Sequence, residues 1–241
     1  MTVGRPKLIL FDIDGTLVSM RRGLPAEIFE SVMREMFNLS VDLGNFDFSG
    51  KPDKLIFREI GTLAGLSEAE VASNHQSVMD AVATILENGM NAGAIQLLPG
   101  VKPLLEGLRE QETTTLAILT GNTPRGARAK LEVFDLNSYF LFGVYGDEVD
   151  DRRELGPLAL GRARQLIHGA RFAGSDVVVI GDTLLDVACA KAIGARSIIT
   201  LTGKTSREEV MTESPDFVFE NLRDIERITD AIYHETEVLA H

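Results

Sequence analysis

Five short runs rich in Val, Ile, Leu and Phe recur along this chain with helical segments between them, and that alternation admits few folds. The runs are KLILFDI (7–13), TTLAILTG (114–121), DVVVIGD (176–182), RSIITLTG (196–203) and DFVFENL (216–222). Nearly continuous apolar runs of this length are the pattern of strands buried on both faces, as in parallel sheets joined by crossover helices. The intervening stretches carry helical spacing: Leu104, Leu105 and Leu108 in one, Leu158, Ala159, Ala163, Leu166 and Ile167 in another. The expected fold class is α/β, an open parallel sheet with helices on both faces.

Residues 19–96 break the alternation. A connection of that length is far beyond an ordinary strand-to-helix loop, so an inserted helical domain is expected at 19–96, with 1–18 and 97–241 forming the core. Ile28, Phe29, Val32, Met33, Met36 and Phe37 make one apolar helical face after Pro25. Further helices are expected at Asp53–Gly61, Ser67–His75 and Val78–Leu86, and no strand is predicted in this segment.

The chemistry-bearing residues fall where the apolar runs stop. The first run leads into Asp12-Ile13-Asp14-Gly15-Thr16, and the carboxyl ends of strands are where open α/β sheets place their ligands. Side chains alternate along a strand, so Asp12 and Asp14 share a side, and Gly15 lets the chain turn sharply. The second run ends in Thr120-Gly121-Asn122, a hydroxyl followed by backbone N–H groups that can face an anion; the third ends in Asp182, with Asp186 one helical turn later. Each turn alone could be a helix cap. Together they put an acid pair, a hydroxyl and a second acid pair at one sheet edge. Carboxylate oxygens with open water positions suit Mg²⁺, and without a cation such a cluster would repel itself and raise its own pKa values.

The formal charge of −12 and the absence of a basic run argue against a nucleic-acid or anionic-membrane partner, while leaving small anions possible where a metal reverses the local potential. One cysteine, Cys189, excludes an internal disulfide framework and is expected in the core. No apolar run approaches the length of a spanning helix, so a cytoplasmic location is expected. The four histidines, His75, His168, His234 and His241, lack metal-ligand spacing and are expected at the surface.

The segments LFDIDGTLV and VIGDTLLDVACAKAIGA, with Thr120 after the second run, resemble the haloacid dehalogenase superfamily over nearly the whole chain. The resemblance implies a Rossmann-like core with a helical cap and a phosphohydrolase that acts through an aspartyl-phosphate intermediate. By the same resemblance Asp12 is the nucleophile and Asp14 the acid and base. Mg²⁺ would lie among Asp12, the carbonyl of Asp14, Asp182 and Asp186, and Thr120, Gly121 and Asn122 would hold the phosphate. Phe48–Asp53 is similar to the substrate-facing cap loop of phosphoglycolate phosphatase-like members, which makes Lys51 a candidate substrate contact. The superfamily's usual basic residue is a Lys followed by Pro, and the corresponding stretch here, residues 146–157, has none. Arg152, in preference to Arg153, is expected to supply the cation. The substrate is expected to be a small phosphorylated metabolite, phosphoglycolate-like or a sugar phosphate, and the protein a monomer or weak homodimer. A phosphomutase, a phosphonate hydrolase and a non-catalytic binding protein on the same fold remain the alternatives.

Overall fold

The computed structural model describes residues 6–168 and 171–233, so His234 and His241 lie outside the described residues. The chain runs through β1 (Lys7–Phe11) and β2 (Val18–Met20), then α1 (Leu24–Phe37), α2 (Asp53–Leu63) and α3 (Glu68–Gly89), and returns through β3 (Ile95–Leu97). The alternation then proceeds as α4 (Val101–Arg109), β4 (Thr114–Thr120), α5 (Pro124–Glu132), β5 (Phe142–Tyr145), α6 (Leu155–Leu166) and β6 (Val177–Gly181). It ends with α7 (Leu184–Ala192), β7 (Arg196–Thr200), α8 (Arg207–Thr212), β8 (Phe217–Phe219) and α9 (Ile225–Tyr233).

Six strands form one parallel sheet in the order β5-β4-β1-β6-β7-β8. The uninterrupted apolar runs follow from burial of both faces. Leu8 and Leu10 of β1 join Val177 and Val179 of β6 in a core completed by Leu155, Ala159 and Ala163 of α6. Ile9 and Phe11 point the other way and pack with Ile118, Val178 and Ile180 against Leu104 and Leu108 of α4 and Ile228 and Ile232 of α9. Cys189 lies in the first of these cores, and burial pushes its thiol up to about 12, as expected of a packing residue rather than a nucleophile. β5 was not anticipated: it is four residues long and contains Gly143, so it presents no apolar run.

Helices α1, α2 and α3 pack around an apolar cluster of their own that includes Phe29, Met33, Phe57, Ile60, Val78 and Val82. Two expectations for this segment need correction. The helices expected at Ser67–His75 and Val78–Leu86 are one, because no Pro or Gly interrupts the polar middle and Val71, Val78 and Val82 recur on one buried face. A capping box starts it: the Ser67 N–H donates to Glu70 Oε2 at 2.8 Å, and the Glu70 N–H donates to Ser67 Oγ at 3.3 Å. The segment also carries strands, since β2 and β3 pair antiparallel at its neck, Val18 opposite Leu97 and Met20 opposite Ile95. Three residues per strand are too few to show a period. Of the predicted face on α1, Met36 is exposed near the helix end. His168 is exposed, as expected, whereas His75 is half-buried beside the Phe57 ring.

The helical insert is seated directly on the sheet edge. A side chain at Gly121 would place its Cβ 2.5 Å from the carbonyl oxygen of Lys51, so only glycine allows this approach. The Asp53 N–H donates to the Gly121 carbonyl at 2.8 Å, and Asp53 Oδ2 accepts from the Thr123 N–H at 2.9 Å. Arg125 reaches Glu87 and Asp80 of α3, and Lys54 pairs with Asp150.

Burial at this seam pushes the Asp53 carboxyl up to about 6, with Lys130 and the Thr123 N–H pulling the other way and Asp14 and Asp147 adding to the rise. An acid whose pKa rises on folding binds its proton more tightly in the folded state. Its contribution is therefore favourable at low pH and is lost as pH climbs from the ordinary carboxylate range through about 6. Asp53→Asn, which keeps an acceptor for Thr123, is expected to raise the thermal midpoint relative to the parent at pH 8 and to give no advantage at pH 4. Equal differences at both pH values, measured by calorimetry, would refute the burial argument.

Candidate active site

β1 lies between β4 and β6, so the carboxyl ends of these three strands abut. Asp12 follows β1, Thr120 ends β4, and Asp182 follows β6. Gly15 has φ +86°, and a Cβ there would lie 2.2 Å from Asp182 Oδ2. Gly203, in the loop after β7, closes on the same Oδ2, and Thr202 Oγ1 of that loop donates to the Gly15 carbonyl. Two glycines thus crowd Asp182. Thr16 Oγ1 donates to Asp182 Oδ1 at 3.4 Å.

Asp12, Asp182 and Asp186 each offer an oxygen within 4.8 Å of the others', and all three residues are buried. Asp186 is already saturated. Its Oδ2 accepts from Thr183 Oγ1 (2.7 Å), the Thr183 N–H (3.0 Å) and the Asp182 N–H (3.2 Å), closing a capping box on Thr183, the N-cap of α7. Its Oδ1 accepts from Arg152 at 2.6 Å. The same guanidinium nitrogen stands 2.9 Å from Asp12 Oδ1, and the other donates to the carbonyl of Gly50 in the helical insert at 2.8 Å. Arg152 is 3% exposed, whereas Arg153 pairs with its neighbour Asp151 at the surface. Of the two arginines, only Arg152 meets the acid cluster.

Burial pushes the Asp12 carboxyl up to about 7 against the pull of Arg152, with Asp186 and Asp14 adding to the rise. Burial, then Asp12 and Asp186, drives Asp182 well above the carboxylate range. Counting Asp14 and Lys130 as well, four carboxylates face two cations. An oxygen-only donor set short of positive charge fits a hard divalent cation, which would lower these pKa values by its own field. Asp12, Asp182 and Asp186 are the side chains placed to hold it. Asp186, both of whose oxygens are engaged, fits the orienting role better than a ligand's.

The second cation is Lys130, to which the sequence motifs assign no role. Its ammonium is buried and stands 2.6 Å from both Asp14 Oδ2 and Asn122 Oδ1. The signal was available: on α5 it falls between Ala127 and Leu131 on the buried face, where an unpaired lysine is not tolerated. Asn122 completes the group, donating through Nδ2 to Asp14 Oδ2 and to Thr120 Oγ1, each at 2.8 Å. Its N–H also reaches Thr120 Oγ1 at 3.3 Å. The Asn122 side chain, expected to meet substrate, is therefore engaged within the protein. With both lone pairs of Thr120 Oγ1 accepting, its own hydroxyl hydrogen is the group left to offer.

These residues floor a cavity of about 1110 Å³ between the sheet edge and the helical insert. Lys51 lines it, but its ammonium pairs with Glu59 at 2.7 Å and lies 5.0 Å from the centre of the Phe46 ring, where a substrate group would compete with both. Among the described residues no helix is long and apolar enough to cross a membrane.

The chain is similar to known proteins in sequence and in fold. The chain is 26% identical over 225 residues to phosphoglycolate phosphatase 1 of Pseudomonas aeruginosa, covering 91% of this chain and 78% of that one. It is 28% identical over 222 residues to the phosphoglycolate phosphatase of Synechococcus elongatus, covering 90% and 94%. The crystal structure of a predicted phosphatase from Clostridium acetobutylicum superposes with a TM-score of 0.73 at 21% identity, over 94% of this chain and all of that one, a likeness of fold. The haloacid dehalogenase-like hydrolase family matches residues 6–194, and the chain belongs to it.

Proposed function

We propose that this chain is a Mg²⁺-dependent phosphatase that hydrolyses a small phosphomonoester, phosphoglycolate-like or a sugar phosphate, through an aspartyl-phosphate on Asp12. The observation that carries the proposal is the buried Arg152 guanidinium touching both Asp12 and Asp186 at the floor of the cavity. The names of the relatives point the same way. Residues 19–96 act as the cap over the site.

Asp12, Asp182 and the carbonyl of Asp14 would hold the ion, with Asp186 orienting the shell, and the ion supplies positive charge where the phosphate dianion meets the nucleophile. Arg152 favours the ionised form of Asp12 and aims it, and its remaining field falls on the phosphoryl oxygens. The Thr120 hydroxyl, with the N–H of Gly121, donates to those oxygens, while Asn122 orients Thr120. Lys51 faces the leaving group from the cap. Asp12 attacks phosphorus as the ester oxygen departs with a proton from Asp14. Asp14 then takes a proton from the water that opens the aspartyl-phosphate.

Phosphate release from a panel of small esters should require a divalent cation, and Mg²⁺ should raise the thermal midpoint of the free protein by mass action. Undiminished turnover in excess chelator would sink the metal role.

Arg152→Ala should lower kcat by about 10² to 10³-fold, the scale of losing one charge-stabilising donor, whereas Arg153→Ala should leave it unchanged. Circular dichroism checks that both remain folded, and comparable rates in the two variants would move the cation elsewhere.

The two aspartates of the first motif should separate by leaving group. Asp12→Asn should stop turnover on every ester. Asp14→Asn should spare the first chemical step on p-nitrophenyl phosphate and depress alkyl esters by about 10² to 10⁴-fold, the worth of general acid catalysis. A phosphorylated Asp14→Asn protein should be trapped by rapid quenching and seen by mass. Equal losses on both classes of ester, with nothing trapped, would contradict these roles.

A further inference from the structure

We propose that Lys130 is a positioning residue that, with Asn122, pins Oδ2 of Asp14 and so fixes the orientation in which this carboxylate gives and takes protons. The inference rests on the acid–base role given to Asp14 above.

Lys130 carries its ammonium into the interior, where a charge is costly unless it is paired and hydrogen-bonded. Its two close partners are Asp14 Oδ2 and Asn122 Oδ1, both at 2.6 Å. The orientation of the Asn122 amide follows from chemistry: an ammonium only donates and a carboxylate only accepts, so Oδ1 faces Lys130 and Nδ2 faces Asp14. Asp14 Oδ2 therefore receives two donors from one side. The other oxygen, Oδ1, is buried and has no hydrogen-bond partner within the protein.

A carboxylate held at one oxygen and orphaned at the other has lost the rotational freedom by which a mobile aspartate exchanges its two oxygens. Asp14 lines the same cavity as Asp12 and Arg152, so Lys130 and Asn122 set how its carboxylate is presented there. Lys130 is distinct from the cation at the nucleophile: Arg152 contacts Asp12 and Asp186, and Lys130 contacts the proton carrier. The scaffold suits this task. Thr123 caps α5 through its side chain, Asn122 immediately precedes it and Lys130 lies in its last turn, so one short helix links both donors to Asp14.

Lys130→Met keeps the stem and removes the ammonium. On alkyl phosphates its kcat should fall by about 10 to 10²-fold, part of the full general-acid effect, with KM changed less than about twofold. On p-nitrophenyl phosphate the first-turnover burst should persist while the phosphorylated protein accumulates, because Asp14 is still needed as base. A small alkylammonium ion should restore part of the alkyl-ester rate to Lys130→Ala. Asn122→Ala removes the second donor without altering charge and should reproduce the pattern more weakly, which keeps the test open if Lys130→Met unfolds early in a thermal scan. A rise in KM with the leaving-group dependence unchanged would make Lys130 a phosphate ligand and overturn the proposal. So would equal loss on both esters without accumulation. If Asp14→Asn itself lacks leaving-group dependence, the acid–base reading fails; if Asp14→Asn shows it and Lys130→Met does not, only the role of Lys130 fails.

Discussion

Arg152, buried between Asp12 and Asp186, is the contact on which the rest of the site depends, because carboxylates crowded in a low-dielectric interior repel one another unless a cation stands among them. Its planar fork serves three groups at once: two carboxylates and the Gly50 carbonyl. A lysine offers a point charge without that fixed geometry. Arg152 thereby ties the end of β1, the first turn of α7 and the helical insert to one nitrogen frame. Even so, burial holds Asp12 and Asp182 above the ordinary carboxylate range, and the deficit of positive charge is the physical case for a metal ion.

The tight seating of these groups comes from missing side chains as much as from charged ones. Gly15 and Gly203 both close on Oδ2 of Asp182, and Gly121 lets the backbone of Lys51 touch the end of β4. Close backbone approach of this kind shields the carboxylates from water and strengthens every charge–charge term between them. It also links the position of the insert to the catalytic groups, since Gly50 meets Arg152 and Asp53 meets Gly121 and Thr123. A swing of the insert away from the sheet would break those contacts together.

Two cations divide the electrostatic work. Among the carboxylates, Arg152 pairs with Asp12 and Asp186, and Lys130 with Asp14. The separation matters because the two aspartates of the first motif carry different tasks in the proposed mechanism, and each is held by its own donor set.

Much of this was legible in the sequence where the physics is local. Continuous apolar runs determined the buried parallel strands, since a strand with both faces covered has no polar positions to show. The Asp12, Asp14, Thr120, Asp182 and Asp186 positions followed from strand ends, because a parallel sheet delivers those ends to one edge. Short or weakly patterned elements stayed hidden: β2, β3 and β5 are three or four residues long, and the junction within α3 is polar on the side that faces water. What only the tertiary structure decided is which charges meet. Arg152 and Arg153 are adjacent in sequence, and one is buried against Asp12 while the other pairs with Asp151 outside. Lys130 reaches Asp14 across a sequence separation of 116 residues. Local pattern sets the face a residue occupies, but the partner of a buried charge is chosen by how strands order and helices pack, and no spacing along the chain encodes that choice.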